Sequence, residues 1–212
     1  GIDRNTLNRK MYANKGSRIQ FSTRGIHGRE TTRYGTTGNI SEDYKKNHTW
    51  FEAKVKYENY FLHTGTFSLG FDFEALYSNK TLNENYYASL ISSPAFQPIP
   101  VSRTIFINEF RSPEYAGLGL ISVLSIRRNF DFRFEGYVFQ PGASIQKDAE
   151  KKVVYERSFD NRYYIASGAL IYNSPIGPIS LNLNYYDNRE DGPWGFFFNF
   201  GYTIFNKSVY EL

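Results

Sequence analysis

Residues Trp50–Phe61 read WFEAKVKYENYF, and the side chains change character at every step. Phe51, Ala53, Val55, Tyr57 and Phe61 fall on one side; Glu52, Lys54, Lys56 and Glu58 fall on the other. Successive side chains of a strand point to opposite faces, so a period of two predicts a two-faced sheet. Two further stretches repeat it. FSLGFDFEALY sets Phe67, Leu69, Phe71, Phe73 and Ala75 against Ser68, Asp72 and Glu74. FDFRFEGYVF sets Phe130, Phe132, Phe134 and Val138 against Asp131, Arg133 and Glu135. What the protein does turns on which face meets water.

Composition narrows that choice. The chain has 212 residues, within the range of one all-β domain. It holds 19 Phe, 18 Tyr and 2 Trp, yet its mean hydropathy is −0.52. Aromatic wealth with low mean hydropathy suits a transmembrane β-barrel: half of each strand is apolar, half is polar, and the outer loops are hydrophilic. No run approaches the roughly 20 apolar residues of a spanning helix, so any spanning structure would be a closed barrel with every backbone group paired. The absence of cysteine removes disulfide frameworks and thiolate metal sites, and fits an oxidising compartment such as a bacterial envelope. A dispersed net charge of +4 gives no reason to expect nucleic acid as a partner. No signal peptide stands at Gly1, so a mature chain or an excised piece is expected.

The pattern predicts an antiparallel up-and-down barrel of about eight strands with long extracellular loops. Residues 1–15 read as a polar lead-in, 16–205 as the barrel and 206–212 as a tail. Strands are expected at Ser17–Ile26, Thr49–Phe61, Thr66–Tyr77, Tyr115–Ile126, Phe130–Phe139, Arg162–Asn173, Ile179–Tyr186 and Trp194–Phe205. Loops are expected at His27–His48, at Ser78–Pro113 with four prolines, and around QKDAEKK. Within Ser78–Pro113, VSRTIFINEF reads as a strand or an ordered loop. Short and long connections alternate, as periplasmic turns and outer loops do.

The same alternation describes a soluble eight-stranded barrel with its apolar face inward, holding a small apolar ligand. Two features favour the membrane orientation. GFFFNFGYTIF puts Phe196, Phe198, Phe200 and Tyr202 on one face, more aromatics than a small core needs. Tyr60, Tyr77, Tyr115, Tyr163, Tyr164, Tyr185 and Tyr186 fall near strand ends, where interfacial girdles sit. On this reading Phe51, Val55, Tyr57, Phe71, Phe132, Phe198 and Tyr202 face lipid. Arg18, Arg24, Glu52, Lys54, Lys56, Glu58, Asp72, Glu74, Asp131, Arg133 and Glu135 line the lumen, where charges of mixed sign must pair.

The last third, YYIASGALIYNSPIGPISLNLNYYD followed by WGFFFNFGYTIF, resembles the closing strands of the BamA-type superfamily of outer-membrane barrel-assembly and secretion proteins. That family joins two strands with a Ser-Pro-(Leu/Ile)-Gly-Pro turn, matched by Ser174, Pro175, Ile176, Gly177 and Pro178. Its aromatic last strand has an Asn-x-Gly centre, matched by Asn199–Gly201. NTLNRKMYANKGSRIQFS is similar to the family's approach to a central strand through Asn5, Leu7, Tyr12, Gly16, Ser17, Arg18 and Ile19. The wording of the tail is nearest the Bacteroidetes-type branch in which a patatin-like phospholipase domain precedes the barrel. The resemblance implies a Gram-negative outer-membrane location and a role in anchoring, translocating or displaying that domain. It implies as partners outer-membrane lipid, the barrel-assembly machinery during insertion and the attached patatin-like domain, with a second copy of the chain as one of the ways the barrel closes.

The sequence departs from the family pattern in three places. The Val-Arg-Gly-(Phe/Tyr) motif of the family's lumen loop is missing from Tyr86–Arg111, leaving Arg103 and Arg111 as candidates for its arginine. NKSVYEL follows Phe205, where the family chain stops. The family barrel has about twice the strands counted here, so the match covers its C-terminal half. The chain is then a fragment, one of two half-barrels, or a small self-closed barrel.

Catalytic patterns are poor. No Gly-x-Ser-x-Gly nucleophile elbow occurs, and Asp191-Gly192 is followed by Pro193 and reads as a turn. His27, His48 and His63 have no metal-ligand spacing. The chain itself is therefore expected to carry no catalytic residue, cofactor or metal. A small outer-membrane channel or lipid-modifying enzyme, with Glu52 and Glu58 or Asp72 and Glu74 as an acid pair, stands as a further alternative.

Overall fold

A computed structural model describes residues 1–33, 43–189 and 192–201. Tyr202, Phe205, the tail 206–212, Asp191 and the middle of the first long loop lie outside the described residues.

The chain is an antiparallel up-and-down sheet. Its strands are β1 (Ile2–Asn5), β2 (Gly16–Thr32), β3 (Tyr44–Thr64), β4 (Phe67–Ser78), β5 (Glu114–Arg127), β6 (Phe130–Pro141), β9 (Tyr163–Ser174), β10 (Gly177–Tyr186) and β11 (Trp194–Phe200), in that spatial order. A separate ribbon, β7 (Ser144–Lys147) with β8 (Val153–Glu156), is set into the connection between β6 and β9. The expected count of about eight is corrected to nine in the main sheet among the described residues, because β1 forms inside the stretch expected as an irregular lead-in. It pairs only with Arg18–Phe21.

The first loop is shorter than expected. β2 and β3 stay in register from Gly16↔Tyr60 to Thr32↔Tyr44, running past the end of β4 at Glu52↔Ser78. Alternation persists there in polar form, with cross-strand bonds such as His27 Nδ1 to Thr49 Oγ1 at 2.8 Å. VSRTIFINEF forms no strand. Its first residues are taken up in a 3-10 turn, Pro100–Arg103, which Pro100 opens with its fixed φ, and 79–113 also holds helix α1 (Tyr86–Ile91). Asn85 caps α1 by accepting from the Ala88 amide.

Antiparallel order puts two-residue turns at Gly65-Thr66, Arg128-Asn129 and Pro175-Ile176, together with the Thr6–Lys15 turn, at one end. The long connections share the other. The Ser-Pro-Ile-Gly-Pro stretch is the β9–β10 hairpin: Ser174 pairs with Gly177 and Asn173 with Pro178. Gly177 takes φ +130° there, and Ser174 Oγ donates to the Gly177 carbonyl at 2.5 Å.

The sheet curls strongly. Six spacings of about 4.8 Å would hold β2 and β10 roughly 29 Å apart if it were flat. Tyr12 lies only four residues before Gly16 at the start of β2, a chain reach of roughly 14 Å, yet its hydroxyl meets Ser180 Oγ on β10 at 3.0 Å. The expected closure is not seen among the described residues: β11 pairs only with β10, and β1 only with β2.

Candidate functional site

Burial answers which face is covered. In β6, Phe130, Phe132, Phe134 and Val138 are exposed while Asp131, Arg133 and Glu135 are buried. β5, β9 and β10 follow suit, with Leu118, Leu120, Tyr164, Leu181 and Leu183 on the open face. The concave face carries the charge. All eleven residues expected to line a lumen lie on it: Glu52, Asp72, Glu74, Asp131, Arg133 and Glu135 are buried, and Arg18, Arg24, Lys54, Lys56 and Glu58 half-buried. Of the apolar set, Phe51, Phe132 and Phe198 are exposed on the convex face; Val55, Tyr57 and Phe71 are half-buried there.

These charges pair, as a covered face requires. Arg24 bonds Glu52, and Lys56 Nζ stands 3.0 Å from Asp72 and 3.6 Å from Glu74. Lys54 adds a contact to Glu74 at 2.9 Å, and the Tyr115 hydroxyl donates to the same carboxylate at 2.6 Å. Arg133 bonds Glu135, donates to the Ala13 carbonyl at 2.6 Å and to the Tyr60 hydroxyl at 3.0 Å; Tyr60 in turn donates to Glu58 at 2.9 Å. At the edge, Arg18 is held by Asp3 at 2.7 Å. Of the six carboxylates expected on this face, Glu52, Asp72, Glu74 and Glu135 meet expected basic side chains, Glu58 accepts from Tyr60, and Asp131 is met by Arg9 at 2.5 Å.

Arg9 comes from the Thr6–Lys15 turn, which folds inward. Gly16 makes this possible: at φ +96°, any Cβ there would strike the Thr6 carbonyl. Leu7 and Ala13 pack on Tyr60, Ile121 and Val123, and Met11 and Tyr12 on Ala169 and Ile171. The turn thus closes the short-turn end of the concave face.

The segment 79–113 closes the other end. Phe96, Ile99, Val101 and Phe110 pack on Leu76, Tyr115, Tyr137, Phe139, Ile165 and Tyr186. Gly117 and Gly119 leave room for the Phe96 and Tyr137 rings, which a Cβ at either position would strike. The cavity left beneath this segment is about 10 Å³, room for no more than a single water. Arg111 braces the segment, donating to the carbonyls of Ile91 and Ser93 at 3.0 Å each and lying over the Phe106 ring. Arg103 is exposed at the end of the 3-10 turn. Lys80, at the root of the segment, lies over the Trp50 ring, and burial lowers its ammonium below the usual lysine range.

The girdle expectation is corrected for three tyrosines. Tyr77 and Tyr164 are exposed on the convex face, but Tyr60, Tyr115 and Tyr186 are buried inside. Inward aromatics were legible in the parity of each strand; position near a strand end is not sufficient to place a side chain outside. His48 bonds Glu30 at 2.9 Å and Thr81 at 2.7 Å, and His63 bonds Ser68. Among the described residues no cluster of His, Asp and Glu has the geometry of a metal site, and no helix is long and apolar enough to cross a membrane. Comparison of the chain with known family models, with characterised proteins and with solved structures finds no match.

Proposed function

We propose that this chain forms the wall of a BamA-type outer-membrane β-barrel in a Gram-negative bacterium, anchoring, and translocating or displaying, a patatin-like phospholipase domain of the full-length protein. The observation that carries the reading is the inverted sheet: paired charges covered, aromatic and aliphatic side chains open. Soluble monomers rarely expose contiguous apolar patches beyond a few hundred Å², whereas here the open face runs from Leu118 and Leu120 on β5, through Phe132 and Phe134 on β6 and Leu181 and Leu183 on β10, to Phe196 and Phe198 on β11. Strands β4, β5, β6, β9 and β10 are 10 to 14 residues long, enough to cross a bilayer when tilted. The family and the phospholipase rest on the resemblance of the turn and end-strand motifs.

Lipid tolerates no open strand edge, so the reading requires the edges of β2 and β11 to be joined. Their directions are antiparallel, which allows them to meet each other, a second copy, or strands of a longer chain. Among the described residues the buried amide nitrogens of Asn184 on β10 and Asn199 on β11 have no hydrogen-bond partner, close to the β11 edge where further wall would stand. A soluble barrel for an apolar ligand needs the opposite burial and a cavity of some 300 Å³ or more, far from the filled space beneath 79–113.

The test is to purify the chain with and without detergent and weigh it by light scattering corrected for bound detergent. The reading predicts a detergent requirement, with a monomer meaning self-closure and a dimer meaning two copies sharing one barrel. A folded, soluble monomer without detergent would contradict it.

A further inference from the structure

We propose that the short-turn end of the sheet docks on anionic phospholipid headgroups. The inference rests on the reading that the convex face meets lipid, and it names which end meets an acidic surface. The four connections at this end, 6–15, 64–67, 127–130 and 174–177, contain no Asp or Glu but hold Arg9, Lys10, Lys15, Arg127 and Arg128. Arg9 reaches Asp131, and Lys15, Arg127 and Arg128 are exposed. The long connections at the other end carry both signs, Glu84, Glu109, Asp148, Glu150 and Asp187 among their acids.

The charge sits where the apolar wall ends. Leu62, Ile126 and Ile176 are exposed in or beside the same turns, at 41%, 54% and 72%. Long basic side chains at such a boundary keep their stems on apolar surface and their heads in the headgroup layer. Each Lys or Arg close to an anionic surface strengthens attachment roughly fivefold, and added salt weakens it, because screening acts over about 10 Å at 0.1 M. Basic turns continuous with an apolar wall match a surface that is anionic outside and hydrocarbon within.

The experiment floats the detergent-folded full chain with vesicles of phosphatidylcholine alone or phosphatidylcholine mixed with phosphatidylglycerol. Tighter, salt-sensitive partition into the mixed vesicles is expected. Arg127→Gln with Arg128→Gln should lose that preference roughly 25-fold and leave partition into neutral vesicles unchanged. Lys45→Gln with Lys46→Gln, two exposed lysines at the far end, should keep the preference. Equal partition of the parent chain into both vesicles would overturn the inference while leaving the membrane reading intact. Equal loss by both variant pairs would also overturn it, since net charge alone would then explain the effect. Failure to enter either vesicle would remove the membrane reading and the inference together.

Discussion

Arg133→Ala is expected to destabilise the folded chain by about 3–5 kcal/mol, the usual cost of stranding one partner of a buried ion pair. Arg133 is 6% exposed and ties three parts of the interior together: Glu135 on its own strand, Tyr60 on β3 and the Ala13 carbonyl of the inward turn. Among the described residues its loss leaves Glu135 buried with the Tyr137 hydroxyl, which donates at 2.9 Å, and it removes one of the turn's ties to the wall while Arg9–Asp131 and Tyr12–Ser180 remain. The companion variant separates charge from packing. Arg133→Met combined with Glu135→Leu removes both ions and should recover most of the loss, because apolar replacements of a buried pair are often neutral or better. Denaturant titration of the three proteins reads the difference. A loss below about 1 kcal/mol for Arg133→Ala, the scale of an exposed pair, would mean that the concave face is wet and the network a solvated one.

Phe132→Arg tests the other face of the same strand. Phe132 is 37% exposed, flanked across the ladder by Leu124 and Leu170, and stacked on Phe134 at 6.1 Å. An arginine at the midplane of a lipid-facing wall costs about 2–4 kcal/mol, and an exposed position in water would register within about 0.5 kcal/mol. The expected result is loss of stable folding into micelles or vesicles, read by gel migration of unheated samples. Val55→Arg, on the convex face of β3, should behave alike. Normal insertion of both variants would reverse the orientation assigned to the sheet.

The two-faced sheet was legible because charge and aromatic content alternate in the same three stretches, and parity then places every residue of a strand. Two kinds of structure were not legible. β2 beyond Ile26 and β3 before Thr49 keep the alternation with His27, Arg29 and Thr31 against Gly28, Glu30 and Thr32, so a reading keyed to hydrophobicity loses the strand where its contrast fades. β1 is four residues long and exposed throughout, and pairing with β2, not its own pattern, defines it. The same limit applied to the interior. Glu52, Asp72, Glu74, Asp131, Arg133 and Glu135 were identifiable from period two, but Arg9 on Asp131, Ala13 on Arg133 and Tyr12 on Ser180 come from a turn with no periodicity. Only the curl of the sheet brings that turn across to β10. Phe96 and Phe110 enter the interior in the same way, from a proline-rich segment whose placement depends on the wall it covers.

The chain has no cysteine, so a single spin label at Phe134→Cys, 56% exposed on the convex face of β6, reports the surroundings of that face without background. In reconstituted vesicles, collision rates with lipid-dissolved oxygen and with a water-soluble nickel complex should differ sharply. The account predicts high oxygen accessibility and low nickel accessibility at this position. A label that the nickel complex reaches freely would show that the aromatic face meets water, and would contradict the membrane wall.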